Sequence, residues 1–125
     1  MIHPVVDIGR WIQFQLGGAP IGMPGIVDSA LATTHTPQVV LGTMYQAVFR
    51  APSLPVTYGY GWVIYNYRGR VILEHAGAWA GYTSFIVLIP DEGLGFAILA
   101  NLRLKEALDD IRQMRVAMVE ALVKR

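Results

Sequence analysis

Residues 58–101, YGYGWVIYNYRGRVILEHAGAWAGYTSFIVLIPDEGLGFAILAN, decide the fold. Trp62, Val63, Ile64, Tyr65 and Tyr67 are strand formers, and Arg68-Gly69 falls where a tight turn would precede Val71, Ile72 and Leu73. The spacing predicts a hairpin. Tyr82 to Ile89 makes a third strand that ends at Pro90, and Asp91-Glu92-Gly93 turns the chain into a fourth, Leu94 to Ala100. The expectation is a four-stranded antiparallel sheet over residues 58–101.

Downstream, the segment Leu104 to Val123 sets Leu104, Leu108, Ile111, Met114 or Arg115, Met118 and Leu122 along one helical face. Asp109, Asp110, Arg112, Gln113 and Glu120 fall mostly on the other, so residues 102–125 are expected to close on the sheet as an amphipathic helix. Upstream, Val5, Ile8, Trp11, Ile12 and Leu16 recur at helical spacing and Gly17-Gly18 supplies a stop, which predicts a helix from Pro4 to Leu16. Residues 17–57 read mostly as a Gly- and Pro-rich connector, with one short helical candidate from Asp28 to Thr34 and interruptions at Pro37, Pro52 and Pro55. The fold class is therefore α+β. The chain reads as a single domain over 1–125, with helix and connector in 1–57, sheet in 58–101 and closing helix in 102–125.

Composition narrows the function classes. The 125 residues are 54% apolar and only 15% charged, against about 25% charged in an average soluble domain, so some apolar surface is expected to meet a partner. A net charge of +1, with ten basic residues scattered along the chain, gives no case for nucleic acid or for an anionic membrane surface. Cysteine is absent, which excludes disulfides and thiolate metal sites. The longest uncharged apolar stretch, Ala76 to Pro90, is broken by Thr83 and Ser84 and is shorter than the roughly 20 residues of a membrane helix. The start MIHPVVDIGRW lacks the features of an export signal, so as it stands the chain reads as cytoplasmic.

His75 follows a strand and precedes small residues, a position where backbone amides and a polar side chain converge on a ligand. A half-buried histidine satisfied by one hydrogen bond is the alternative. Gly77 and Gly81 permit positive φ or close backbone approach, and the Ala78 amide between them could donate to a developing oxyanion; equally, such glycines mark bulges. Tyr58, Tyr60 and Trp62, interleaved with Gly59 and Gly61, serve either to stack on a ligand or to pack a strand face. Asp91-Glu92 and Asp109-Asp110 are adjacent pairs that point apart and read as solvated surface. His3, His35 and His75 show no metal-binding spacing, and neither a metal nor a cofactor is expected. Ser29, Ser53 and Ser84 sit in neither a G-x-S-x-G nor an S-x-x-K context, so no complete catalytic set is present.

The order of these pieces resembles the carboxyl-terminal part of the serine β-lactamase-like and penicillin-binding-protein-like family, which includes class C β-lactamases, esterases and D-aminopeptidases. The likeness rests on YGYGW at 58–62, EHAGAWAGYTSFIVLIPDEGLGFAILAN at 74–101 and the amphipathic last helix, with a looser match in DIGRWIQFQLGG at 7–18 and HTPQ at 35–38. The resemblance implies that His75-Ala76-Gly77 is the family's third motif, on the strand lining the active site. His75 would assist or orient a substrate carboxylate or leaving group, Gly77 would let substrate approach the backbone, and the Ala78 amide would form half of an oxyanion hole. Trp79, Gly81 and Tyr82 complete the candidate pocket.

The family's nucleophile and base, in S-x-x-K, and its Tyr-x-Asn or Ser-x-Asn motif do not occur in these residues, and Tyr65-Asn66-Tyr67 does not fit the latter. The expectation is a truncated hydrolase module, non-catalytic alone, that binds a ligand or a complementing chain. The alternatives are a structural module acting as a homodimer and a weak hydrolase using Ser84 or Thr83. The family's first helix and initial strands would lie beside the last strand. Without them, Leu94 to Ala100 would present an open edge, which predicts a homo-oligomer, most simply a two-fold dimer.

Overall fold

Two tight turns organise the centre of the sheet. Arg68 (φ 51) and Gly69 (φ 80) connect the paired residues Tyr67 and Arg70, while Ala80 (φ 41) and Gly81 (φ 95) connect Trp79 and Tyr82. Positive φ at both central positions is the type I′ geometry, whose twist matches that of the strands it joins. The predicted turn at Arg68-Gly69 is thus present, and a second of the same kind follows it.

The computed structural model describes residues 5–17, 26–43, 55–102 and 104–123. Helices α1 (Val5–Gln15) and α2 (Ile26–Thr34) are followed by strands β1 (Val39–Leu41), β2 (Val56–Tyr58), β3 (Val63–Tyr67), β4 (Arg70–Trp79) and β5 (Tyr82–Ile89). A 3₁₀ turn at Pro90–Glu92, closed by Gly93 at φ 62, leads into β6 (Leu94–Ala100), and helix α3 (Leu104–Val123) ends the described chain. Pro4, Gly18, Pro52 and Ser53, and the side chains of Leu104 and Leu108, lie outside the described residues.

The strands form one antiparallel sheet of six in the order β1-β2-β3-β4-β5-β6. The expected four strands are present, and β1 and β2 are the correction: they come from the segment read as connector. Each is three residues long, too short to show alternation, and Pro37 and Pro55 stand just ahead of them. Proline before a strand removes no ladder donor from its interior, so it marks an entry here rather than an interruption. Thr57 is fixed from its neighbour strand by a hydrogen bond from its Oγ1 to Ile64 O at 2.9 Å.

Side-chain alternation gives the sheet two buried faces. Val63, Tyr65, Tyr67, Ile72, Val87 and Ile89 pack against Val119 of α3. Trp62, Ile64, Leu73 and Leu88 pack against Ile12 of α1, so the two helices cover opposite faces. At the undecided helical position Arg115 is the inward residue, 1% exposed, while Met114 is 54% exposed. Among the described residues no helix is long and apolar enough to cross a membrane.

Candidate active-site strand

Strand β4 has two unlike halves. From Arg70 to Glu74 it is paired with β3, with Leu73 and Glu74 also paired to β5; from His75 to Trp79 it is paired with β5 alone. The last β3 partner is Val63, opposite Glu74. Beyond it β4 offers a backbone edge that no described strand covers, and the sequence motif HAGAW occupies that stretch. The sequence reading has the strand end before His75, with small residues following it, and Ala and Gly are poor strand formers. The unbroken ladder with β5 overrides that local preference, and it contains no bulge at Gly77.

His75 lies on the exposed overhang opposite Ile86, and its ring is 6.5 Å from that of Tyr58 at a tilt of 54°. Ala76 faces the other way, against the Phe85 and Ile111 cluster under α3. Gly77 is opposite Ser84, and a Cβ built on it would fall 2.7 Å from Ser84 Oγ. Ala78 is exposed opposite Thr83, and Gly81 belongs to the turn. Trp79 and Tyr82 form the last pair before that turn and stand 82% and 64% exposed. By strand alternation His75, Gly77 and Trp79 share one face of β4. The structure therefore brings the whole predicted set onto one hairpin.

Neither hydroxyl considered as a nucleophile is directed at a base. Thr83 Oγ1 donates to Leu102 O at 3.1 Å and is buried, while Ser84 Oγ donates to Gly77 O at a long 3.5 Å. The Tyr58 to Trp62 stretch is not one continuous strand face but the bend between β2 and β3, closed by Gly59 N to Trp62 O at 2.8 Å. Trp62 is buried and stacks on Trp11 at 5.5 Å, while Tyr60 is exposed. His35 meets the edge of the Trp62 ring, and its Nε2 donates to Gln15 Oε1 at 2.9 Å; burial lowers its pKa. Among the described residues no group of three potential metal ligands gathers. An apolar groove of about 620 Å³ runs between α1 and β6, past Ile8, Ile12, Leu94 and Leu99, and includes none of the candidate site residues.

The feature that sequence reading missed stands beside His75. Glu74 is fully buried on the α3 face, ion-paired through Oε2 with Arg115, which is 1% exposed. Tyr65 from β3 joins them: its hydroxyl donates to Glu74 Oε2 at 3.2 Å and accepts from Arg115 at 3.2 Å. Burial raises the pKa of the Glu74 carboxyl, with Arg115 and Tyr65 opposing the shift; burial likewise raises that of Tyr65. The one signal in the sequence was a charge at each of two otherwise apolar positions, Glu74 inside a strand and Arg115 on the helix stripe.

An antiparallel sheet with an early and a final helix on its two faces is a partial fold of the serine β-lactamase-like proteins. The chain belongs to that family, since the beta-lactamase family model matches residues 5–119. Among solved structures it is similar to the octameric penicillin-binding protein homologue from Pyrococcus abyssi, with a TM-score of 0.62 and 23% identity. That match covers 78% of this chain and 20% of that one, so the chain spans about one fifth of the length of that protein, and the likeness is one of fold. No curated protein matches.

Proposed function

We propose that these 125 residues supply the ligand-facing wall of a β-lactamase-like site and carry out no covalent acyl transfer by themselves. The observation that carries this reading is the edge of β4 from His75 to Trp79, which no described strand covers. An extended acyl or peptide-like ligand adds to such an edge through main-chain hydrogen bonds, with side chains setting specificity. His75 engages the ligand's carboxylate or leaving group, Gly77 keeps the strand flat for its approach, and the Ala78 amide donates to a carbonyl oxygen. The attacking group and its base, absent from the motifs of this sequence, come from residues outside it, in the same polypeptide or in a complementing chain.

The test pairs turnover with binding. The chain is expected to leave nitrocefin and p-nitrophenyl esters intact, while N-acetyl-D-alanyl-D-alanine shifts the amide resonances of Gly77 and Ala78 and His75→Ala weakens that binding. Turnover abolished by His75→Ala would instead make the chain an enzyme in its own right. No turnover with no shift would leave an interaction module.

A specific observation supports association as well. Strand β6 ends the sheet, with Leu94 and Leu99 exposed on it. An apolar sheet edge associates readily, and the similar solved structure is that of an octamer. On this reading β6 meets a second copy of the chain.

A further inference from the structure

Glu74 is the position at which β4 passes from pairing on two sides to pairing on one. A strand held on one side is free to twist away from the sheet, so the direction of the His75–Trp79 overhang is set by whatever fixes β4 at that junction. The side chain there is one of three that tie β3, β4 and α3 together: Glu74 to Arg115 as an ion pair, with the Tyr65 hydroxyl hydrogen-bonded to both.

Stability does not account for this choice of residues. A buried ion pair generally gives a fold no more than well-packed apolar side chains of similar volume would, because two charges must be stripped of water. Glu74 Oε1 has no hydrogen-bond partner among the described residues, which adds to the cost of the arrangement. What the pair provides that leucine and methionine would not is direction. Hydrogen bonds to a carboxylate fix its orientation, and so the rotation of β4 about its own axis at Glu74. Because successive side chains point to opposite faces, fixing Glu74 toward α3 fixes His75 away from it. Ala76 continues the contact on the α3 side and Gly77 on the ligand side, so the clamp bears directly on the motif.

We propose that Glu74, Arg115 and Tyr65 are positioning residues for the ligand edge of β4, holding the His75-Ala76-Gly77 stretch in line from the opposite face of the sheet. This rests on the reading of that edge as the ligand wall, but its first readout needs no ligand. Hydrogen exchange is measured along β4 in the 125-residue chain. In Glu74→Leu/Arg115→Met, which keeps the core apolar and filled, protection at residues 75–79 falls roughly tenfold relative to residues 70–74, and the His75 ring resonances move. Arg115→Lys, which retains the charge, restores part of the protection. Val119→Ala, which loosens α3 without touching the pair, leaves the ratio as in the parent.

An unchanged ratio in the double variant, or an equal change in Val119→Ala, overturns the proposal. Should the double variant not fold, Tyr65→Phe, which removes only the bridging hydroxyl, is read in the same way. Binding of N-acetyl-D-alanyl-D-alanine is then compared. Loss of binding in the variants alone extends the proposal to the site, whereas absence of binding in the parent refutes the ligand-wall reading and leaves the exchange result to decide positioning.

Discussion

Glu74 and Arg115, separated by 41 positions in the chain, meet as an ion pair inside the core, 0% and 1% exposed. Removing one partner leaves the other charge buried without its counter-ion, and such losses run to about 3–5 kcal/mol. Glu74→Gln and Arg115→Met are each expected to fall in that range in urea unfolding, while the combined Glu74→Leu/Arg115→Met variant returns most of it. Additive losses in the double variant would show that the two side chains contribute independently.

Tyr65 gives the alkaline limb of stability its shape. Its folded-state pKa is raised above the ordinary value of 10, chiefly by burial, so the folded state holds the proton where the unfolded state releases it. The stabilisation is complete below pH 10 and is lost as the pH climbs beyond it. Absorbance titration at 295 nm is expected to show Tyr65 ionising only as the protein unfolds, and Tyr65→Phe to flatten the alkaline decline. The same variant loses a hydrogen bond to each of two charged groups, at about 1.5–3 kcal/mol per bond.

His35 acts in the opposite sense at acid pH. Its partial burial against Trp62 lowers its pKa from 6.5, and its ring also links α2's end to Gln15 of α1. A depressed histidine stabilises fully above pH 6.5, and that contribution is lost as the pH falls through the folded-state value. Melting temperature followed from pH 7.5 to 5 is expected to drop less steeply in His35→Gln than in the parent. Equal slopes would remove His35 from the acid response.

The two glycines of Gly59 and Gly77 separate fold from site. A Cβ on Gly59 would meet the backbone oxygens of Thr34 and Thr36 at 2.8 and 2.9 Å, and backbone does not yield cheaply. Gly59→Ala is expected to cost about 1–3 kcal/mol by overpacking. At Gly77 the close atom is Ser84 Oγ at 2.7 Å, the end of a small side chain that can rotate aside. Gly77→Ala should therefore cost less than Gly59→Ala in urea unfolding yet abolish ligand-induced shifts at the β4 edge. Equal destabilisation by both would place Gly77 in the fold alone.

Much of this architecture was legible because its signals are local. Arg68-Gly69 announces its turn, Gly17 follows the first helix, and the stripe from Ile111 to Leu122 defines the face of α3. What stayed hidden depends on partners far along the chain. Strand β1 exists because Val39 pairs with Tyr58 and Leu41 with Val56, pairings that three-residue segments cannot signal. The choice between Met114 and Arg115 is set by Glu74, since helical periodicity leaves both near the seam. His75 was singled out by its motif, but that it stands on an edge no described strand covers follows from where β3 stops, at Val63. Nothing in the residues of β4 encodes that end point.

Strand β6 carries the remaining prediction. It is the last strand of the sheet, and Leu99, 44% exposed, lies on it beside the apolar groove against α1. If β6 meets a second copy, a lysine at this position blocks the approach by placing a charge where apolar surface must be buried, while the exposed site tolerates it in the monomer. Sedimentation at micromolar concentration is expected to show the parent as an oligomer and Leu99→Lys as a monomer, with urea stability of the variant monomer no lower than that of the diluted parent by more than about 0.5 kcal/mol. A parent chain that sediments as a monodisperse monomer excludes pairing through this edge. An oligomer that survives Leu99→Lys unchanged places the contact elsewhere, the exposed Trp79 and Tyr82 of the hairpin tip being the next surface to probe.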